Sequence, residues 1–153
     1  TLTNNYVSHT HGQASMFASL FFGLLDPIDG TLLYINAGHE PLLIFNEKGV
    51  HTRLEPNAPV VGIFPNVDYS VKSVVLDIDD TLLAFTDGVT EAMNSKRERF
   101  SDMRLGIVLE EPGRSCQKIL EDIVATVERF ADGEKQVDDI TMFAVKRLAK
   151  LTF

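Results

Sequence analysis

The chain begins with short apolar runs that alternate with turn residues. Residues 16–25 are almost entirely apolar, and an Asp-Pro-Ile-Asp-Gly turn separates them from a second apolar run at residues 31–35. Apolar runs of this length that flank Asp, Pro and Gly predict β-hairpins. The same pattern predicts further strands at residues 41–45, 50–54, 69–76 and 81–85. The first half is therefore predicted to be an antiparallel β-meander, and a hairpin turn at residues 77–80 is predicted to join the two strands that follow it.

Helical patterns come only after these strands. Residues 89–93 and 102–109 predict two short helices, and residues 115–130 predict a longer one with Ser115 as its N-cap. The apolar stripe of the longer helix is predicted to consist of Cys116, Leu120, Ile123, Val127 and Phe130. A last apolar run at residues 140–145 predicts a final strand. Strands, then helices, then one returning strand indicate a layered α+β fold and not an alternating parallel α/β fold.

Composition indicates one ordinary globular domain. The chain has 153 residues, of which 44% are hydrophobic, and it includes ten Phe. This apolar content is enough for a substantial core. Five phenylalanines within apolar runs are predicted to be core residues: Phe17, Phe21, Phe22, Phe45 and Phe85. We expect the domain to cover residues 1–147 and a polar tail to cover residues 148–153.

Charge and hydropathy exclude two kinds of partner. The formal net charge of −8 opposes binding to a phosphate backbone, so we expect no nucleic-acid partner. No apolar run approaches the roughly 18 residues that a membrane span needs, and the first residues lack the features of a signal peptide. With Cys116 as its one cysteine, the chain has no internal disulfide. We therefore expect a cytoplasmic protein with no membrane partner.

Two aspartates stand where apolar strands end or begin. Asp87 follows the run Leu-Leu-Ala-Phe-Thr, and Asp138 precedes the final predicted strand. Strand ends can direct carboxylates at one point, and hard oxygen ligands suit Mg²⁺ or Mn²⁺. A phosphate-handling metal enzyme is therefore the leading interpretation. Taken alone, the same residues are explained more simply by a turn at Asp87-Gly88 and a solvated strand start at Asp138-Asp139.

Four segments of the chain resemble successive motifs of a known family. They are residues 16–23, 36–41, 85–92 and 138–141. In this order they resemble the bacterial PP2C-like serine/threonine phosphatases of the SpoIIE and RsbU type. The resemblance implies a layered β-sandwich flanked by helices, with two Mn²⁺ or Mg²⁺ ions at one end of the sandwich. It places Asp87 and Asp138 at metal-ligand positions, with Gly88 and Asp139 as neighbours of the site.

The resemblance is incomplete at the N-terminal end of the domain. The family's first metal motif, a Gly-Asp followed by further acids on an early strand, has no counterpart, because nothing acidic precedes Asp26. Residues 1–7 look like the end of a helix that would follow that part of the domain. We therefore expect an incomplete PP2C-like domain that is weak or inactive alone. Its uncovered sheet edge favours a homodimer.

The resemblance also implies a substrate and a mechanism. Such enzymes remove phosphate from phosphoserine or phosphothreonine on a regulatory protein, with a metal-activated water as the nucleophile. The family's usual substrates are anti-anti-sigma factors of stress-response signalling, and its phosphatase domains often follow sensor or receiver domains. A phosphorylated regulatory protein and an upstream sensor or receiver domain are therefore the expected partners.

Two alternatives remain open at this point. The first is a non-catalytic PP2C-like module that keeps the fold and binds a partner, which the missing acidic motif favours. The second is a haloacid-dehalogenase-type phosphatase, because residues 74–83 resemble the opening motif of that family, with Asp77 as the nucleophile. That family requires Asp77 to end the first strand of a parallel sheet, whereas five strand-like runs precede it here.

Overall fold

The computed structural model describes residues 1–11, 16–136 and 138–149. These residues form two compact units. The first unit contains Thr1–Pro41 and Leu54–Leu76, and the second contains Leu42–Arg53 and the described residues from Asp77 onward. The helices and strands, in chain order, are α1 (Leu2–His11), β1 (Leu20–Leu25), β2 (Thr31–Ala37), β3 (Leu42–Asn46), β4 (Gly49–Leu54), β5 (Lys72–Val75), β6 (Thr81–Phe85), α2 (Asp87–Thr90), α3 (Ser101–Leu109), α4 (Cys116–Ala131) and β7 (Met142–Lys146).

The first unit is built on a three-stranded antiparallel sheet of order β1-β2-β5. The predicted hairpin between β1 and β2 is confirmed. Its turn is closed by two aspartates: Asp26 Oδ1 accepts the Ile28 N–H at 2.7 Å, and Asp29 Oδ1 accepts the Thr31 N–H at 2.7 Å. Short acidic side chains that bond to backbone two residues on favour such turns. Local chemistry therefore sets the register of this hairpin.

A buried asparagine organises the other end of β2. Asn36 is fully buried, its Oδ1 accepts the His39 N–H at 2.9 Å, and its Nδ2 donates to the Leu54 carbonyl at 2.9 Å. Gly38 follows with φ of +73°, and a Cβ at that position would overlap the Val60 side chain. The identities of Asn36 and Gly38, within segment 36–41, are therefore explained by the fold of the first unit.

The second unit is built on a four-stranded sheet of order β4-β3-β6-β7. Helices α3 and α4 and one face of this sheet enclose its apolar core. The fully or almost fully buried members of the core are Leu43, Phe45, Leu83, Phe85, Val89, Ala92, Phe100, Leu105, Leu109, Ile119, Ile123 and Val127. Two antiparallel sheets with helices confirm the predicted α+β class.

The two ends of the longest helix, α4, lie close to where the sequence predicts them. The Ser115 side chain accepts the Lys118 N–H at 3.2 Å, which satisfies one free donor of the first turn. At the other end Asp132 adopts the left-handed conformation, with φ of 51°. The buried stripe differs from the prediction, because Ile119 is buried whereas Cys116 is only half-buried. No helix in the described ranges is long and apolar enough to cross a bilayer.

The predicted meander is wrong, because the strands divide between two sheets. After β1 and β2 the chain passes to the second sheet for β3 and β4, returns to the first for β5, and passes back for β6. The turn at residues 77–80 is therefore not a hairpin within one sheet. The turn is held in place by Asp80, which is 1% exposed. The Asp80 carboxylate accepts the Asp77 N–H and the Asn46 Nδ2–H, both at 2.9 Å.

Two of the predicted core phenylalanines lie at the surface. Phe17 and Phe22 are 63% and 56% exposed, whereas Phe45 and Phe85 are buried as predicted. Phe21 is half-buried and stacks on Tyr34 with ring centroids 5.7 Å apart. For Phe22 the physical reason is that β1 pairs only with β2 among the described strands, so most of the apolar side chains of β1 are not covered.

Candidate functional site

Asp87 lies where β6 ends and α2 begins. Phe85, the last residue of β6, is buried, and Thr86 continues the extended chain as the N-cap of α2. Asp87 is the first helical residue, and its carbonyl accepts the Glu91 N–H at 2.7 Å. Asp87 is exposed to solvent, whereas the following Gly88 is buried. The end of a buried central strand thus presents the Asp87 carboxylate to solvent.

Asp138 lies on the segment that enters the neighbouring strand. β7 pairs antiparallel with β6, and Phe85 is the partner of Met142 in this ladder. One more backbone bond continues the pairing, because the Thr86 N–H donates to the Thr141 carbonyl at 3.0 Å. The residues before β7 therefore run beside the residues after β6. Asp138 and Asp139 are both exposed.

Backbone contact at Gly88 brings the two acidic segments together. A Cβ placed on Gly88 would lie 2.6 Å from the Asp139 carbonyl oxygen and 2.9 Å from the Asp138 carbonyl oxygen. These distances are shorter than real Cβ atoms show, and the atoms they reach are backbone. Only glycine allows α2 to start so close to the Asp138–Asp139 peptide. The structure therefore places all four sequence-predicted site residues in two touching segments.

Two further residues fix this arrangement, although no sequence pattern predicted a role for either of them. Thr86 Oγ1 donates to the Asp139 carbonyl at 2.7 Å and accepts the Thr141 N–H at 3.0 Å. Gln136 Nε2 donates to the Asp138 carbonyl. Thr86 lies inside the segment at residues 85–92 that carried the family resemblance, so the motif could have identified Thr86 as a residue of the site. Gln136 had no such signal.

The carboxylates of Asp87 and Asp138 are chemically suited to a hard divalent cation. Neither the Asp87 nor the Asp138 carboxylate forms a hydrogen bond or ion pair with another residue that the structure describes. Exposed aspartate oxygens without protein partners are ligands of the type that Mg²⁺ and Mn²⁺ prefer. Within the described part of the chain, no group of three or more His, Cys, Asp and Glu has an arrangement that could hold a metal. A metal ion bound at this point would therefore need further ligands besides these two aspartates.

The haloacid-dehalogenase alternative does not agree with this fold. That family requires a parallel sheet, whereas β6 pairs antiparallel with both β3 and β7. Asp77 is exposed in a turn, and the Asp80 N–H donates to its carbonyl at 3.1 Å. The strand β6 separates this turn from Asp87, so the two acidic segments lie at opposite ends of one strand. The acidic part of the motif, at residues 77–80, is therefore a structural turn between β5 and β6.

Comparison with protein families gives a match over almost the whole chain. The family described as Stage II sporulation protein E (SpoIIE) matches residues 1–148. Among known proteins, Protein IcfG of Synechocystis sp. is 42% identical over 146 residues, which are 95% of this chain and 23% of that protein. Phosphoserine phosphatase RsbU of Bacillus subtilis is 29% identical over 94% of this chain and 43% of its own length. The chain thus spans less than half the length of these two relatives.

A solved structure shows the same fold. The phosphatase domain of the cell fate determinant SpoIIE from Bacillus subtilis, from a crystal presoaked with Mn, superposes with a TM-score of 0.69. The match covers 89% of this chain and 59% of that chain, at 19% sequence identity. At this identity the likeness concerns the fold alone.

Proposed function

Because this chain belongs to the SpoIIE family of PP2C-like serine phosphatase domains, we propose that it is part of a metal-dependent protein serine/threonine phosphatase. One observation carries the proposal. The backbone of Gly88 touches the carbonyls of Asp138 and Asp139, and this contact sets two exposed carboxylates, Asp87 and Asp138, on adjoining segments. Divalent cations such as Mg²⁺ and Mn²⁺ are bound by carboxylate oxygens, and a cation site at this point would use these two carboxylates.

Asp87 and Asp138 would hold Mn²⁺ or Mg²⁺ as part of a two-ion site. When bound, such ions would activate a water molecule for attack on phosphorus and would neutralise the negative charge that develops on the phosphoryl oxygens. The residues of this chain hold the ligands in place. Gly88 permits the close approach of the two segments, Thr86 bonds them across the end of the β6–β7 ladder, and no side chain is required to attack phosphorus. Asp139 contributes its backbone and stays a neighbour of the site.

The proposed substrate is a regulatory protein that carries phosphoserine or phosphothreonine. The exposure of Asp87, Asp138 and Asp139 supports a protein substrate, because an open surface admits a phosphorylated side chain on a folded partner. The relative RsbU is a phosphoserine phosphatase, and an anti-anti-sigma factor is the candidate substrate class. Both sequence relatives are much longer than this chain, which supports control by a further sensor or receiver domain.

A non-catalytic binding module is the second candidate. It is favoured by one observation: residues 1–11, 16–136 and 138–149 contain no cluster of three or more acidic or other ligand side chains suited to a metal. A module of this kind would keep the fold and the exposed acidic surface without turnover. Metal binding and phosphate release separate the two candidates directly.

The test compares the longest natural chain that contains this domain with residues 1–153 alone. We expect the longer chain to release phosphate from a phosphoserine peptide with Mn²⁺, and to lose this activity with EDTA or with Asp138→Asn. Residues 1–153 should bind Mn²⁺ weakly in calorimetric titration, because two carboxylates are an incomplete ligand set. Absence of phosphate release from the longer chain at any Mn²⁺ concentration would favour the binding module.

A further inference from the structure

A short loop of defined shape connects α2 to α3. Residues 92–99 form this loop, and its two ends are held together by an antiparallel bridge between Met93 and Arg99. Asn94 organises the interior, because its Oδ1 accepts backbone N–H groups of Lys96 and Glu98, each at 3.0 Å. A side chain that replaces backbone partners in this way stabilises a tight turn. The loop is therefore ordered before any partner binds.

Two cations at the tip of this loop have no side-chain partner among the residues that the structure describes. Lys96 and Arg97 are exposed, and neither side chain forms a hydrogen bond or ion pair with any residue in the described ranges. Arg97 has φ of +61°, in the left-handed region that non-glycine residues rarely adopt. By contrast, Arg99 at the base of the loop pairs with Glu91, with Nη1 2.8 Å from Oε1. Within this loop the unpaired positive charge therefore lies at the tip, on a chain whose net charge is −8.

The base of the loop lies next to the candidate site. Met93 lines a cavity of about 190 Å³ together with Gln136 and Ile140. Gln136 bonds to the Asp138 carbonyl, and Ile140 directly follows Asp139. The loop also continues from α2, whose first residue is Asp87. Both acidic segments of the site are therefore connected to residues 92–99.

We propose that residues 92–99 are a recognition loop, whose tip binds acidic residues that flank the phosphorylated residue of the protein substrate. This inference rests on the proposed phosphatase function and names the kind of substrate surface that the site accepts. Two unpaired cations attract carboxylates over about one Debye length, roughly 8–10 Å in physiological salt. Because the loop is already ordered, little conformational entropy is lost when the acidic segment binds.

The test uses two synthetic phosphoserine peptides and the longest natural chain that contains the loop. One peptide has Asp and Glu on both sides of the phosphoserine, and the other has Gly and Gln at the same positions. Binding is measured by fluorescence anisotropy in EDTA, so that it does not depend on metal or on turnover. The unmodified chain should bind the acidic peptide about tenfold more tightly than the neutral peptide at low salt, and high salt should reduce this preference.

Charge reversal identifies the source of the preference. Lys96→Glu should lower it severalfold, and Lys96→Glu/Arg97→Glu should abolish it. Lys48→Glu is the matched control, because Lys48 is an exposed lysine in the β3–β4 turn, at the opposite end of β6 from Asp87, and it should keep the full preference. Melting curves of each variant check that the fold is retained.

The outcomes separate this inference from the proposed function. Equal binding of the two peptides by the unmodified chain, or an unchanged preference in Lys96→Glu/Arg97→Glu, would overturn the recognition loop. Phosphate release from p-nitrophenyl phosphate with Mn²⁺ is measured in the same preparation. Its absence would contradict the phosphatase function, while the anisotropy result still decides whether the tip binds acidic peptide.

Discussion

The Thr86 hydroxyl is bonded to the Asp139 carbonyl at 2.7 Å, across the point where the ladder between β6 and β7 ends. The same hydroxyl accepts the Thr141 N–H at 3.0 Å. The hydroxyl oxygen of Thr86 thus bonds two backbone groups of the segment that carries Asp138, as a neighbouring strand would do. The positions of the two acidic segments relative to each other depend on this side chain as well as on the backbone ladder.

Thr86→Val should therefore loosen the candidate site. The substitution keeps the shape of the side chain but removes both hydrogen bonds, at an expected cost of about 1–3 kcal/mol in the free energy of unfolding. Affinity for Mn²⁺ should fall together with stability, since the segment that carries Asp138 loses two of its hydrogen bonds. Thr86→Ser is the control, because it retains the hydroxyl. Urea unfolding and calorimetric titration measure both effects, and equal Mn²⁺ affinity in the two variants would contradict the role of the hydroxyl.

Gly88→Ala should move one acidic segment away from the other. The added methyl group would lie 2.6 Å from the Asp139 carbonyl oxygen, so backbone must shift, at a cost of about 1–3 kcal/mol. Phosphate release by the longest natural chain should fall with stability. Gly106→Ala is the matched control, because Gly106 lies on α3 and a Cβ there meets nothing within 4 Å. That variant should be neutral or slightly stabilised, since alanine favours helix by roughly 1 kcal/mol over glycine.

Asp87→Asn separates the two phosphatase chemistries. If Asp87 holds a metal ion, the rate of phosphate release should fall by about two orders of magnitude or more, because the charge at the ion site is lost. The melting temperature should change little, since the residue is exposed. Asp77→Asn is the control and should keep its activity. An inactive Asp77→Asn variant, or a covalent phosphoenzyme trapped with substrate, would restore the haloacid-dehalogenase mechanism.

Acid stability should depend on Asp80. Burial acts to raise the pKa of the Asp80 carboxyl, but hydrogen bonds to its ionised form outweigh burial and hold the pKa below its usual range. The donors and neighbours are Asn46 Nδ2, the Asp77 N–H and His51 Nε2. A lowered folded-state pKa means that this stabilisation is complete above the unfolded-state pKa, about 4, and is lost as the pH falls below it.

The measurement is urea unfolding at a series of pH values on either side of pH 4, roughly the unfolded-state pKa. Asp80→Asn should be less stable than the unmodified chain near neutrality, and its stability should fall less steeply below that pH. Asp79→Asn is the control, because Asp79 is exposed and already adopts a left-handed conformation that asparagine tolerates. Identical acid profiles for Asp80→Asn and the unmodified chain would refute the assignment.

Residues 1–153 alone should self-associate through β1. Phe22 and Leu24 are 56% and 61% exposed on this strand, which pairs only with β2 among the described strands. An apolar edge strand with free backbone groups is a template for pairing with a second chain. Sedimentation should show a dimer or larger species, and Phe22→Lys/Leu24→Lys should shift the distribution towards monomer. A strictly monomeric profile of the unmodified chain at high concentration would count against this prediction.

Features that depend on contacts between residues close in sequence were predictable. Ser115 caps α4 as expected, and the acidic turn between β1 and β2 closes as expected, because both depend on bonds between residues a few positions apart. The division of strands between two sheets was not predictable in this way. The turn at residues 77–80 has the composition of a hairpin turn, and only the distant contacts of Asp80 with Asn46 and His51 show otherwise.

The candidate site shows the same contrast. Motif order identified Asp87, Gly88, Asp138 and Asp139 as a group, and the structure brings their backbones together. The reason that Gly88 is glycine is a contact with residues 50 positions later, which no local pattern contains. Exposure of Phe17 was also unpredictable, because an apolar run has the same sequence whether or not another segment covers it.

The alternation of the chain between two sheets has a consequence for folding rate. Ile44 on β3 pairs with Leu82 on β6, so the second sheet forms only after a loop of several tens of residues has closed. Pairings between residues so far apart in sequence raise contact order and slow folding relative to helical proteins of the same size. During synthesis, β3 and β4 would leave the ribosome well before β6 and β7 are available to them. Chaperone dependence of the nascent chain should therefore be greatest in that interval.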